Sequence, residues 1–184
     1  MAEATPRGRM PVDEARARIL AGVVPVATQE KVPLLEALGR VLVEDVAAPF
    51  DVPPFDYSAM DGYAVRAQDV GEASSDVPVR LRVAGRVGAG MVAAHPVGPG
   101  EAWRVLTGAP IPPGADAVVP YEWVRAVGPN GEATDHVPDG FGGWTGTDGA
   151  EEAAIDVTVP VEDGDDVRPR GEDQRAGAIS IRAG

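Results

Sequence analysis

The spacing of apolar and polar residues divides the chain into a short helical beginning and a long stretch of strand character. Val12, Ala15, Ile19 and Leu20 recur at near-helical intervals while Glu14, Arg16 and Arg18 turn to the other side. This predicts an amphipathic helix closed by Gly22. Leu34-Leu35-Glu36-Ala37-Leu38 predicts one or two further helical turns stopped at Gly39, and Arg40-Val41-Leu42-Val43 then reads as a strand. From Pro49 the character changes to short runs bounded by Gly and Pro. Val79-Arg80-Leu81-Arg82-Val83 alternates apolar with charged residues, as a half-buried strand does. Further strands are expected at 103–106, 117–119, 123–127, 155–161 and 179–181. None alternates with a long helix, which argues against a doubly wound nucleotide-binding sheet.

These changes of character predict a mixed, β-dominated α+β chain of two lobes. A discontinuous lobe takes residues 10–48 and 155–184, and a β lobe of residues 49–154 is inserted into it. Residues 1–9 are polar and expected to fray. Residues 128–154 are dense in Gly, Asp and Glu without a usable period, and read as a mobile loop. The chain stops directly after the run at 179–181, and such an end is expected of a chain cut rather than finished.

Composition narrows the picture. With 184 residues, 44% of them hydrophobic, a packed core is within reach; aromatics are only 5%, so Val, Leu, Ile and Ala must build it. The 23 glycines and 18 prolines suit a turn-rich β fold better than a helical bundle. A formal charge of −13 argues against a nucleic-acid surface, since phosphate backbones are bound by clustered Lys and Arg. Any anionic ligand must then meet local arginines or a metal ion. The absence of cysteine removes disulfides and thiolate chemistry. No signal-peptide core or membrane-length apolar run is present, so a cytoplasmic protein without a membrane partner is the default expectation.

Three blocks could carry chemistry. In Asp51-Val52-Pro53-Pro54-Phe55-Asp56-Tyr57-Ser58-Ala59-Met60-Asp61-Gly62-Tyr63-Ala64-Val65-Arg66, two prolines fix an extended entry and Gly62 frees the backbone after Asp61. Asp61 could help hold Mg²⁺ or orient an oxyanion, or with Asp56 and Ser58 it could satisfy turn N–H groups. In Leu106-Thr107-Gly108-Ala109-Pro110-Ile111-Pro112-Pro113-Gly114-Ala115-Asp116-Ala117-Val118-Val119, a strand runs into a hydroxyl followed by small residues. Turn N–H groups and the Thr107 hydroxyl could grip an oxyanion, or form a turn that ends a strand. In Val167-Arg168-Pro169-Arg170-Gly171-Glu172-Asp173-Gln174-Arg175-Ala176-Gly177, the arginines offer forked donors for phosphate or similar oxyanions. Glu172 could bind a cation or accept a proton. A surface ion-pair cluster is the plainer reading. His95 and His136 share no metal-ligand spacing, and Gly85, Gly88 and Gly90 lack the pattern of a phosphate loop.

Taken together and in this order, FDYSAMDGYAV, TGAPIPPGADAVV and RPRGED make the chain, over about residues 11–184, resemble the molybdopterin molybdenumtransferases of the MoeA and gephyrin E-domain family. The resemblance implies the N-terminal region of an elongated homodimer, followed in the family by an α/β domain and a C-terminal β domain that this chain does not include. It implies a cytoplasmic enzyme of molybdenum cofactor biosynthesis. Its reaction is Mg²⁺-dependent transfer of molybdate to adenylylated molybdopterin with release of AMP, and molybdopterin adenylyltransferase is its pathway partner. Residue by residue, Asp61, Thr107 and Glu172 match functional positions, with Ser58, Gly62, Gly108, Arg170 and Asp173 shaping the same cleft. The position of the metal stays open. So does a second reading, in which the region is a non-catalytic dimerisation or scaffold module of the same fold.

Overall fold

The computed structural model describes residues 10–134 and 153–184, which divide between two compact units, Met1–Glu44 with Ala183–Gly184 and Asp45–Arg182. In the first unit, helix α1 spans Val12–Ala21. Pro11 starts it with its preset φ, Asp13 and Glu14 lie in the first turn and Arg18 in the last, each favourably placed against the helix dipole. The Arg18–Glu14 ion pair at 2.6 Å adds a further contact on its exposed side. None of its side chains is buried. The second expected helix is a single 3-10 turn, Leu34–Glu36. Residues 40–43 form no strand, in contrast to the expectation; an apolar run has strand character only where another strand accepts its hydrogen bonds, and here none does.

Among the described residues the second unit carries all the strands: β1 (Val46–Ala47), β2 (Tyr57–Ser58), β3 (Gly62–Val65), β4 (Val79–Val87), β5 (Glu101–Val105), β6 (Ala117–Pro120), β7 (Val124–Val127), β8 (Ala133–Thr134), β9 (Ala154–Val157), β10 (Val167–Arg168) and β11 (Ile179–Ile181), with the short helix α2 (Ala67–Val70) and a 3-10 turn at Tyr121–Trp123. Seven form one sheet in the order β6-β3-β5-β4-β9-β7-β8. All its pairings are antiparallel except β4–β5, which is parallel and joined by residues 88–100 without a helix. The β-dominated fold class and the absence of a doubly wound sheet therefore hold. Two small ladders, β1–β11 and β2–β10, bring residues near 46 and 57 against the segment 167–181.

Both faces of the sheet are covered. On one side Tyr63, Val65, Leu81, Ala102, Val119, Ile155 and Val157 pack into one cluster; on the other, Ala64, Val87, Trp103, Val105 and Val118 pack into a second. Strand β3 is buried at all four positions, which is why its sequence reads as an apolar run and not an alternation. Each fully buried large side chain contributes about 1.5–3 kcal/mol.

Residues 155–157, which the return of apolar runs at Ile155 predicts to side with residues 10–48, form β9 between β4 and β7 of the main sheet. Period-two patterning identifies a strand without naming its neighbours. Within the expected loop at 128–154, residues 133–134 and 154 belong to strands and residues 135–152 lie outside the described residues, as do residues 1–9 and His136.

Candidate functional site

The site grows from two chain segments that run antiparallel where β3 begins and β5 ends. Ser58 N donates to Ala109 O at 2.9 Å, Gly108 N donates to Ser58 O at 2.8 Å, and Ile111 N donates to Asp56 O at 3.0 Å. Ser58 is fully buried; its hydroxyl donates to Met60 O at 2.5 Å and accepts from Met60 N at 3.3 Å, closing the local turn. The turn delivers Asp61 to Thr107. Asp61 Oδ1 accepts from both Thr107 N at 2.7 Å and Thr107 Oγ1 at 2.8 Å. Its backbone carbonyl is held by Tyr121 N at 3.3 Å.

Two glycines are needed for this geometry. A Cβ on Gly62 would lie 2.2 Å from the carbonyl oxygen of Val119, so β3 and β6 can approach only because no side chain intervenes. Gly108 has φ +81, the left-handed conformation that lets the chain reverse directly after Thr107.

The arrangement defines what the turn can do. The backbone N–H groups of Thr107, Gly108 and Ala109 are all occupied, by Asp61 Oδ1, Ser58 O and Leu106 O, and the Thr107 hydroxyl donates to Asp61. The donors that could grip an oxyanion or close a turn are thus engaged within the turn in this structure, and what the segment presents outward is an acceptor. Both residues are exposed, and Asp61 Oδ2 has no hydrogen-bond partner among the described residues. That oxygen can receive a proton or contact a cation.

Glu172, Arg170 and Asp173 sit in a second cluster. Arg168 donates to Glu172 and, at 3.1 Å, to Asp173 Oδ1. Arg170 Nε donates to Asp51 Oδ2 at 2.5 Å, and Arg170 N donates to Asp56 Oδ1 at 2.6 Å. Asp51 Oδ1 also accepts from Ala176 N at 2.8 Å. This amide bond and then the Arg170 guanidinium hold the Asp51 carboxyl below the ordinary aspartate range, while bonding to Glu172 raises the already high pKa of Arg168. The arginines expected to receive phosphate are thus directed at carboxylates of the same loop and of residue 51. Among the described residues no hydrogen bond or ion pair joins Glu172 to Asp61; the clusters are linked through the ladder that pairs Ser58 with Val167 and Tyr57 with Arg168. The structural role of Asp51 was not readable from its motif, because its partners lie 119 and 125 residues away.

Elsewhere, His95 stacks edge-on against Trp103 with ring centroids 4.9 Å apart, a packing contact. Asp116 Oδ1 accepts from Ala67 N at 2.6 Å and so holds the start of α2. Among the described residues no three histidine or acidic side chains converge as a metal site.

Comparison with known proteins points in one direction. The family described as the MoeA N-terminal region (domain I and II) matches residues 10–184. The chain is 43% identical over 158 residues to a molybdopterin molybdenumtransferase of Synechococcus elongatus, covering 84% of the chain and 33% of that protein. It is 38% identical over 178 residues to the one of Bacillus subtilis, covering 97% and 36% respectively. The crystal structure of a molybdopterin biosynthesis MoeA protein from Pyrococcus horikoshii OT3 superposes with a TM-score of 0.66 at 41% identity, over 84% of this chain and 35% of that one. The chain spans about a third of the length of the curated relatives it matches.

Proposed function

The chain belongs to the MoeA N-terminal region family, and on that premise we propose that the protein transfers molybdate to adenylylated molybdopterin, in a Mg²⁺-dependent reaction that releases AMP, with this chain supplying part of a composite active site. The observation that carries the reading is the Asp61–Thr107 pair: two motifs 46 residues apart meet at one carboxylate oxygen and leave the other available. In this reading Thr107 fixes the carboxylate, Ser58, Gly62 and Gly108 hold the turn that presents it, and Glu172 with Arg170 and Asp173 forms a second wall. Substrate supply falls to a molybdopterin adenylyltransferase, and the protein works in the cytoplasm. Among the described residues no helix is long and apolar enough to cross a membrane.

The residues fit Mg²⁺ as a shared ligand. Sites for this ion commonly use one or two carboxylates together with substrate phosphates and water, so three converging acids are not required. Asp61, through Oδ2, is the residue here that would hold it. Bound Mg²⁺ would offset charge on the phosphoanhydride as AMP leaves. Asp61 itself fixes the position of its charge through the two Thr107 bonds, which removes the need to reorganise it during the reaction.

We also propose a homodimer. The first unit supports it by exposing Val12, Ile19, Leu20, Leu34, Leu35 and Leu38, the last three more than 85% accessible, which is unusual for a surface that stays in water. Light scattering on the full-length protein at micromolar concentration tests this, and an exclusively monomeric species would remove it. Transfer of labelled molybdate by the full-length protein tests the activity. A folded protein that transfers none would favour the scaffold reading, for which the engagement of Glu172 by Arg168 speaks.

A further inference from the structure

One turn, residues 162–167, touches all three motif blocks. Asp165 O accepts from Val118 N at 2.9 Å in β6, Asp166 O accepts from Ala59 N at 2.8 Å directly after Ser58, and Val167 then enters β10 opposite Ser58. Further bonds fasten the turn to itself and to the start of β6: Glu162 N to Asp165 Oδ2 at 2.7 Å, Gly164 N to Asp116 O at 2.8 Å and Val167 N to Gly164 O at 3.2 Å. It lies between the segment that delivers Asp61 and the strand that carries Arg168 toward Glu172.

Near the end of this turn Asp166 has φ 54, and among the described residues it is the one residue other than glycine in the left-handed region. A Cβ makes that conformation costly, and Asp or Asn tolerates it when its side chain bonds to nearby backbone. Asp166 has no such bond: its half-buried carboxyl meets no donor among the described residues. Burial, and then the neighbouring Asp165, push that carboxyl above the ordinary aspartate range. The side chain therefore does not hold the conformation; the two carbonyl bonds on either side of it do. The dihedral angles of residue 166 fix the angle between the carbonyls of residues 165 and 166, so a residue that leaves the left-handed region cannot keep both Val118 and Ala59. Outlying dihedrals that are imposed by surrounding contacts gather at functional sites.

We propose that Asp166 is a positioning residue for Asp61, acting through the Ala59 amide that its left-handed backbone holds. Ser58 N is bound to Ala109 O, Ser58 Oγ closes on both backbone groups of Met60, and Asp61 follows directly. Ala59 is the point at which this turn is tied to the segment leading into β10. With no hydrogen bond or ion pair between Glu172 and Asp61 among the described residues, the Ala59 bond and the β2–β10 ladder together set how far apart the two clusters stand. The effect on turnover rests on the transferase reading, whereas the clasp itself rests on geometry alone.

The test compares the full-length protein with Asp166→Ala, Asp166→Asn and, as a control for lost charge, Asp163→Ala. Alanine keeps a Cβ without any preference for the left-handed region, asparagine keeps that preference without the charge, and Asp163 is an exposed residue of the same turn. Hydrogen exchange resolved to single residues should show the Ala59 amide exchanging about fivefold or more faster in Asp166→Ala than in the wild type, and no faster in the other two variants. The kcat for molybdate transfer should fall about tenfold or more in Asp166→Ala with KM unchanged, as misplacement of a reacting group does, and be regained in Asp166→Asn. Unchanged Ala59 exchange in Asp166→Ala, an acceleration spread evenly through β3 and β5, or a faster Ala59 amide with wild-type kcat would each overturn the proposal. Absence of transfer by the wild type would instead overturn the transferase reading, and exchange at Ala59 would still decide the clasp.

Discussion

The Asp61–Thr107 turn and the 168–176 loop both set carboxylates against donors, but they are held by opposite means. The turn is continuous with β3, buried at every position, and with β5, where every residue but Glu101 is buried. Its carboxylate accepts two bonds on one oxygen and keeps the other available. The loop lies outside the large sheet, and its Arg170, Glu172 and Asp173 are exposed. It is fastened by ion pairs and by backbone bonds to the entry segment, including Gly171 N to Pro53 O at 2.9 Å and Asp173 N to Val52 O at 2.9 Å. The difference teaches that an acidic residue in a motif is available for chemistry only where the fold satisfies it incompletely. Asp61 meets that condition, whereas Asp51 is consumed in holding the loop.

The strongest way to break the comparison is to remove the rigidity of the turn. Gly62→Ala forces a methyl group against the Val119 carbonyl, a backbone atom of the neighbouring strand that cannot swing aside. Overpacking of this kind is expected to cost about 3 kcal/mol. Chemical denaturation should show it, and a stability unchanged within error would mean that the two strands can separate without penalty.

Next comes the chemistry. Asp61→Asn in the full-length protein should reduce molybdate transfer by roughly two to three orders of magnitude, as loss of a preorganised charge does. Its effect on Tm should be small, because the amide oxygen can still accept from Thr107. Thr107→Ala removes the hydroxyl bond and leaves the backbone bond, so it should cost about 0.5–1.5 kcal/mol of local stability and fewer orders of magnitude in rate. Wild-type turnover in both variants would separate the turn from the reaction and leave only its structural role.

Acidification should loosen the loop. Asp51 has a lowered carboxyl pKa in the folded chain, so its contribution is complete above the unfolded aspartate value of about 4. That contribution is lost as pH falls below that value and through the folded one. Hydrogen exchange at the Ala176 amide should therefore accelerate in that acidic window, and Asp51→Asn should remove the pH dependence. A pH dependence that persists in Asp51→Asn would show that another group fastens the loop. The smallest effect is expected for Arg168→Gln, whose exposed ion pairs are screened by salt; at moderate salt, exchange in the loop should change by no more than about threefold.

Much of this was legible in residues. Helix α1 follows from the spacing of Val12, Ala15, Ile19 and Leu20, and β4 from the alternation at 79–83, because both periods are local properties of the chain. The three motif blocks identified the region where Asp61 and Thr107 lie. Strand β3 was hidden inside the first block: Gly-Tyr-Ala-Val carries no alternation, since both of its faces are covered. The state of the Thr107, Gly108 and Ala109 amides was hidden too, since their acceptors are selected by how the chain returns on itself and not by their own side chains.

By itself, the sequence determined the β-dominated character, the family, and the presence of a local carboxylate and hydroxyl. These depend on side-chain volume, backbone freedom and short-range periodicity. Only the tertiary structure decided that Ile155 joins the large sheet, that Asp51 is committed to the 168–176 loop, and that one bulge places Arg86 beside Arg104. Strand pairing is a contact between distant residues, and a period of two leaves both the partner and the register undetermined. A shift of a single residue therefore changes which charges meet.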